Sequence, residues 1–242
     1  MNLPSTPESS FNHHIKENPY PGRGLVIGRN DPQGNWIILY WIMGRSDSSR
    51  NRRFVAEGGT LRTQPIDLGK IKDPSLIIYE AMLELPKVFI VSNGDQTRTI
   101  YEGLQKGLSF FEALAGRERE PDAPNFTPRI SGLLSFAEEE GGKILLSILK
   151  ANPLDPAYTD RYFYHPALPR PGFGFALTTY AGDGNPLPSF SGDPLLLPLK
   201  GTAKEILETY WQALDNQNRV AMAVKEIAPD GSTSRIEIKN QY

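Results

Sequence analysis

The segment Ile42–Phe54, IMGRSDSSRNRRF, interleaves Arg45, Arg50, Arg52 and Arg53 with Ser46, Ser48 and Ser49, and holds a single acid, Asp47. A guanidinium grips a phosphate monoester through parallel charge-assisted hydrogen bonds. Serine hydroxyls and loop N–H groups complete such a cradle. A solvated surface loop is the alternative. The run before it, Trp36–Met43, reads as a central strand that would hold the loop rigidly, and Asp47 alone does not neutralise it. The expected ligand is therefore a phosphate-bearing small molecule.

Three further places could do chemistry. Tyr79 falls in DPSLIIYEAM, expected as a helix from Asp73 (N-cap) and Pro74 through about Leu85, with Leu76 and Leu83 on the same face. There it is either a core tyrosine or a phenol that donates to, or exchanges a proton with, a substrate. Asn93, in VSNGDQT, sits where a strand gives way to a helix; it is either a turn residue or an amide that reads a carboxamide or carbonyl. The loop Arg117–Ile130 carries Glu118, Glu120 and Asp122, and Pro121, Pro124 and Pro128 stiffen it enough to aim a carboxylate. Metal and covalent chemistry find little support. His13, His14 and His165 show no ligand spacing, cysteine is absent, and no nucleophile elbow, P-loop or dinucleotide fingerprint occurs.

The elements that must position these residues are mostly hairpins. Gly24–Arg29 and Trp36–Met43 flank the turn signal NDPQGN, with apolar character continuous enough to suggest burial on both faces. RISGLLSF and KILLSILKA form a second hairpin, and RVAMAVKEIA and TSRIEIKN a third. Helices are expected from Ser109 and from Thr202, each with a glutamate three residues on that completes a capping box. Between Asn152 and Pro198 the proline- and glycine-rich chain shows one strand, Gly174–Tyr180. Hairpins separated by helices indicate an α+β fold of mainly antiparallel sheets. Residues 1–20 read as a loosely held extension and residues 21–242 as one domain.

The chain has 242 residues and a formal net charge of −2. That balance argues against general nucleic-acid binding, which rests on a broad basic field. Without cysteine there are no disulfides or thiolate ligands. No apolar run approaches the length of a membrane span, and the N-terminus lacks the apolar core of a signal peptide, so a cytoplasmic location is expected.

Taken in order, GLVIGRN, GRSDSSRNR, DPSLIIY, VSNGDQTRTI and NFTPRI resemble the archaeal-type IMP cyclohydrolase family and the bacterial proteins grouped with it. The resemblance covers about Gly24–Ile130. It implies a four-layer αββα sandwich of antiparallel sheets, like the N-terminal-nucleophile hydrolases but without the nucleophile. It implies intramolecular ring closure of formamidoimidazole carboxamide ribonucleotide to IMP, with neither metal nor cofactor. By matching positions, Arg52, Tyr79 and Glu120 take the catalytic roles. Arg45 and Arg50 hold the phosphate, Ser46 and Asn51 join the substrate-binding set, and Asn93 and Arg129 line the base. The partner is then a small ribonucleotide, with no nucleic acid or membrane, and a homo-oligomer stays open. A non-catalytic purine-nucleotide or phosphometabolite binder is the alternative.

Overall fold

The computed structural model describes residues 6–70, 78–137 and 141–242. Two antiparallel sheets dominate it, with few helices, an α+β fold. The six-stranded sheet runs β11 (Leu195–Pro198), β10 (Phe173–Thr178), β1 (Gly24–Arg29), β2 (Trp36–Met43), β12 (Arg219–Ile227), β13 (Ser234–Asn240). The seven-stranded sheet keeps chain order: β3 (Arg52–Glu57), β4 (Thr60–Pro65), β5 (Glu80–Leu85), β6 (Val88–Ser92), β7 (Arg129–Ser135), β8 (Lys143–Ala151), β9 (Thr159–Tyr164). The helices are α1 (Pro7–Phe11), α2 (Asp47–Arg50), α3 (Gln96–Gln105), α4 (Phe110–Leu114) and α5 (Ala203–Ala213). Among the described residues no helix is long and apolar enough to cross a membrane.

Side-chain alternation along the strands sorts the apolar residues into separate cores. Leu25, Ile27, Ile38, Tyr40 and Ile42 face the other sheet, meeting Met82, Phe89, Val91, Ile130, Leu134 and Leu146. Their neighbours Val26, Ile37, Leu39 and Trp41 point the other way, onto Ile206, Tyr210 and Trp211 of α5. A third cluster joins Ile90, Leu133 and Leu145 to Ile100 of α3 and Phe110 and Leu114 of α4. Every residue of β2 is buried, and each large apolar side chain so placed contributes about 1.5–3 kcal/mol. The arginine-rich segment is thus rooted in the middle of a sheet. Lys225 of β12, 1% exposed, spans the two sheets by donating to Glu84 of β5 and to the Gly59 carbonyl at 2.7 Å.

The expected hairpins β1–β2, β7–β8 and β12–β13 form as read. Both capping boxes form, at Ser109–Glu112 and Thr202–Glu205. Two expectations are corrected. The helix over Asp73–Leu85 is not formed where it can be seen: Glu80–Leu85 is strand β5, and Tyr79 stands in extended chain just before it. Asp73 and Pro74 lie outside the described residues. Ala81, Met82 and Leu83 are all buried, so β5 is covered on both faces and shows no alternation; a run without period two is easily read as helical. The Asn152–Pro198 region holds three strands, since β9 and β11 flank the expected β10. Ahead of β1 the described chain forms α1 and a π-helical turn over Asn12–Lys16, with Ile15 fully buried in the α5 cluster.

Candidate active site

A cavity of about 430 Å³ opens where the ends of β2 and β10 meet the loop before β1 and the loop before β7. That volume lies in the range typical of small-molecule sites, about 300–1,000 Å³. Its charged lining comprises Arg23, Arg45 and Arg52 against Glu120 and Asp122.

Arg23 is placed by its neighbour. Gly22 has φ +72°, and a Cβ there would stand 2.2 Å from Thr179 Oγ1 and 2.4 Å from Tyr180 Cδ2. Only glycine lets the chain pass this close to β10. The Arg23 guanidinium then donates to Glu120 Oε2 at 2.9 Å and to the Asn93 carbonyl at 3.1 Å. Burial works against the charge on Arg23, but its pairing with Glu120 outweighs this and holds the proton firmly. Glu120, 3% exposed, has its carboxyl pushed up by burial, with Arg23 and then Arg129 opposing. A carboxyl with raised proton affinity beside a fixed cation suits it to acid–base work.

Arg52 is 5% exposed, and its Nε and Nη2 donate to the carbonyls of Ser49 (2.9 Å) and Met43 (3.3 Å). Those bonds fix the guanidinium between the end of β2 and α2. Ser46 caps α2, accepting from the Ser49 amide while Ser49 Oγ accepts from the Ser46 amide. Arg45 lies over the Tyr20 ring at 5.0 Å and donates to Asp183 and, at 3.0 Å, to the Gly184 carbonyl. On the opposite wall Asp122, Thr127 and Tyr180 form a hydrogen-bonded row.

Of the residues singled out from the sequence, the structure brings Arg45, Ser46, Arg52 and Glu120 together around this cavity. Tyr79 does not line it. The residue is 6% exposed, its phenol meets the Tyr40 hydroxyl at 2.7 Å, and it lies within electrostatic reach of Arg23. Its backbone is pinned by Thr63 of β4, which donates to its carbonyl and accepts from its N–H. Burial, and then Tyr79 itself, pushes the Tyr40 phenol well up.

Four others are committed elsewhere. Arg50 turns back to the Gly44 carbonyl and Asn218, and Asn51 bonds the backbone of Asp67. The Asn93 amide is consumed by Pro128, Gln96 and Ile130, so its contribution is the carbonyl that holds Arg23. Arg129 donates to Asp95 and Gln96 and faces a separate recess.

Sequence reasoning passed over Arg23, Thr127 and Tyr180 as site residues, and left Asp122 among the loop acids. The available signal was a cation flanked by Gly22 and Gly24 at the mouth of a strand that is apolar up to Arg29. An isolated charge so placed must find a buried partner.

A polar cavity with fixed guanidiniums, at strand ends and loops of a fold built on two antiparallel sheets, has the chemistry to take a small anionic ligand. Comparison with known sequences narrows this. The chain belongs to the IMP cyclohydrolase-like protein family, whose model matches residues 20–231. It is 32% identical over 120 residues to an IMP cyclohydrolase of Methanococcus maripaludis strain C7, covering 48% of this chain and 58% of the relative. It is 30% identical over 122 residues to an IMP cyclohydrolase of Methanothrix thermoacetophila, covering 48% and 58%. An IMP cyclohydrolase of Methanocaldococcus jannaschii matches at 25% identity over 219 residues, 88% of this chain and 96% of the relative. The chain thus spans under two-thirds of the length of the first two relatives and nearly all of the third.

Proposed function

We propose that this protein is an IMP cyclohydrolase, closing the pyrimidine ring of formamidoimidazole carboxamide ribonucleotide. The carboxamide nitrogen attacks the formyl carbon, forming a C–N bond and a carbinol. The formyl oxygen then leaves as water, taking one proton from the carboxamide nitrogen and one from the formamido nitrogen. Both reacting groups sit on one molecule, so holding them in contact supplies much of the rate. Proton handling adds about 10²–10⁴-fold.

The observation that carries the reading is the convergence of Arg52 and Glu120, from separate segments, on one cavity of nucleotide size. Arg52 and Arg45 supply the positive end for the phosphate and the developing oxyanion. Glu120 moves protons to and from the carbinol oxygen, and Arg23 holds its carboxyl in place. Tyr79 acts through Arg23 and Tyr40 rather than from the cavity wall. The fold is read as the four-layer αββα sandwich of the N-terminal-nucleophile hydrolases. Helices against the outer faces of both sheets support this. Pro21, Gly22 and Arg23 precede β1, with no nucleophile among them.

The test is incubation with the formamido ribonucleotide, followed by the ultraviolet change on purine formation. Turnover that Glu120→Gln abolishes supports the proposal. A folded protein that binds IMP but never turns over leaves only nucleotide binding.

A further inference from the structure

Thr127 stands between two partners. Its Oγ1 lies 2.5 Å from Asp122 Oδ2 and 2.6 Å from the Tyr180 hydroxyl, and all three residues line the cavity. The Asp122 carboxylate is anchored on its other oxygen, which accepts the Thr127 N–H at 2.7 Å. A hydroxyl has one proton, and a carboxylate can only accept. Thr127 must therefore give its proton to Asp122, since the opposite choice would set two acceptors against each other. That leaves the Thr127 oxygen as an acceptor for the Tyr180 proton. We infer that Asp122, acting through Thr127, turns the Tyr180 phenol into an obligatory hydrogen-bond acceptor toward the ligand, so that the site selects a ligand N–H or O–H donor at that point. Tyr180 is then a specificity-determining residue, and Thr127 and Asp122 are positioning residues.

The surroundings fit this polarity. Burial pushes the Tyr180 phenol up to about 12, so it keeps its proton at neutral pH. The Tyr20 ring stacks on Tyr180 with centroids 5.9 Å apart, and the Gly22 backbone packs against its edge. The packed ring holds the hydroxyl oxygen in place, so only the O–H direction is set by Thr127.

The inference rests on the nucleotide-binding reading, and one substitution tests it sharply. Asp122→Asn keeps an oxygen for the Thr127 amide but puts an NH₂ group against Thr127 Oγ1. The row must then reverse. Thr127 donates to Tyr180, and Tyr180 points its proton at the ligand's own donor. IMP binding by calorimetry is expected to weaken about tenfold in Asp122→Asn. It should weaken less in Tyr180→Phe, where nothing opposes the ligand. Adding Tyr180→Phe to Asp122→Asn should restore affinity to that of Tyr180→Phe alone.

A ligand-free readout runs beside it, titration of tyrosine ring carbons by NMR. Asp122→Asn should lower the Tyr180 midpoint further than Asp122→Asn/Thr127→Val, which shares the lost charge but has no threonine proton. Tyr180→Phe binding IMP as weakly as Asp122→Asn, or equal midpoints in that pair, overturns the inference. Wild-type protein that binds no IMP overturns the nucleotide reading instead, and the titration still decides the polarity.

Discussion

Arg23→Met should destabilise the protein by an amount that grows with pH. Glu120 is 3% exposed and is paired with Arg23 at 2.9 Å. Removing one member of a buried pair costs about 3–5 kcal/mol when the other must stay charged. For a chain of this size each kcal/mol is worth roughly 2–4 °C in Tm, so the fall at about pH 8 should be roughly 6–20 °C. Glu120 has an escape, because it can take up a proton. Burial already raises its carboxyl above the ordinary 4.5, and without Arg23 nothing as close opposes that rise. A folded-state pKa above the unfolded one means stability present below about 4.5 and lost as pH climbs through the folded value. The variant should therefore lie near wild type in acid and diverge upward from there. Thermal denaturation followed by circular dichroism across about pH 4.5–8 measures it. Adding Glu120→Gln should flatten the pH dependence. An equal loss at both ends, or no relief from the second substitution, would refute the account of this pair.

Gly22→Ala should cost more than the usual ~1 kcal/mol for an alanine at positive φ, because its Cβ would strike Thr179 and Tyr180; a small Tm change would show that the strand ends yield. Arg52→Lys should weaken IMP binding about tenfold or more, since an ammonium cannot reproduce the planar fork that bonds Ser49 and Met43 while facing a ligand; unchanged calorimetric affinity removes Arg52 from the site. Tyr79→Phe should lower kcat with little change in KM, and an equal effect on binding would place Tyr79 in ligand contact after all.

Legibility followed the range of the interactions. β1–β2, β7–β8 and β12–β13 pair strands that are neighbours in sequence, and the capping boxes span three residues. Such devices are written in contiguous sequence. The edge strand β9, with its partly exposed TDRYFY, has no such signature; it is fixed by pairing with β8. Within the site the division is similar. Arg45, Ser46 and Arg52 advertise themselves by clustering. Arg23 and Tyr180 are single residues whose meaning appears only when Gly22 brings their segments together. Arg50 and Arg129 show the converse, as chemically suitable side chains already spent on Asn218 and Asp95. Residue type announces capability; partner geometry decides whether it is still available.

The order of strands in the six-stranded sheet bears on how the protein is made. β1 and β2 leave the ribosome early and can pair at once, yet their outer neighbours, β10 and β12, begin only at Phe173 and Arg219. Through much of translation these two largely buried strands offer bare hydrogen-bonding edges. Nascent chains halted before β12 should accordingly recruit chaperones, and ligand added during synthesis could rescue none of them before Tyr180 has emerged.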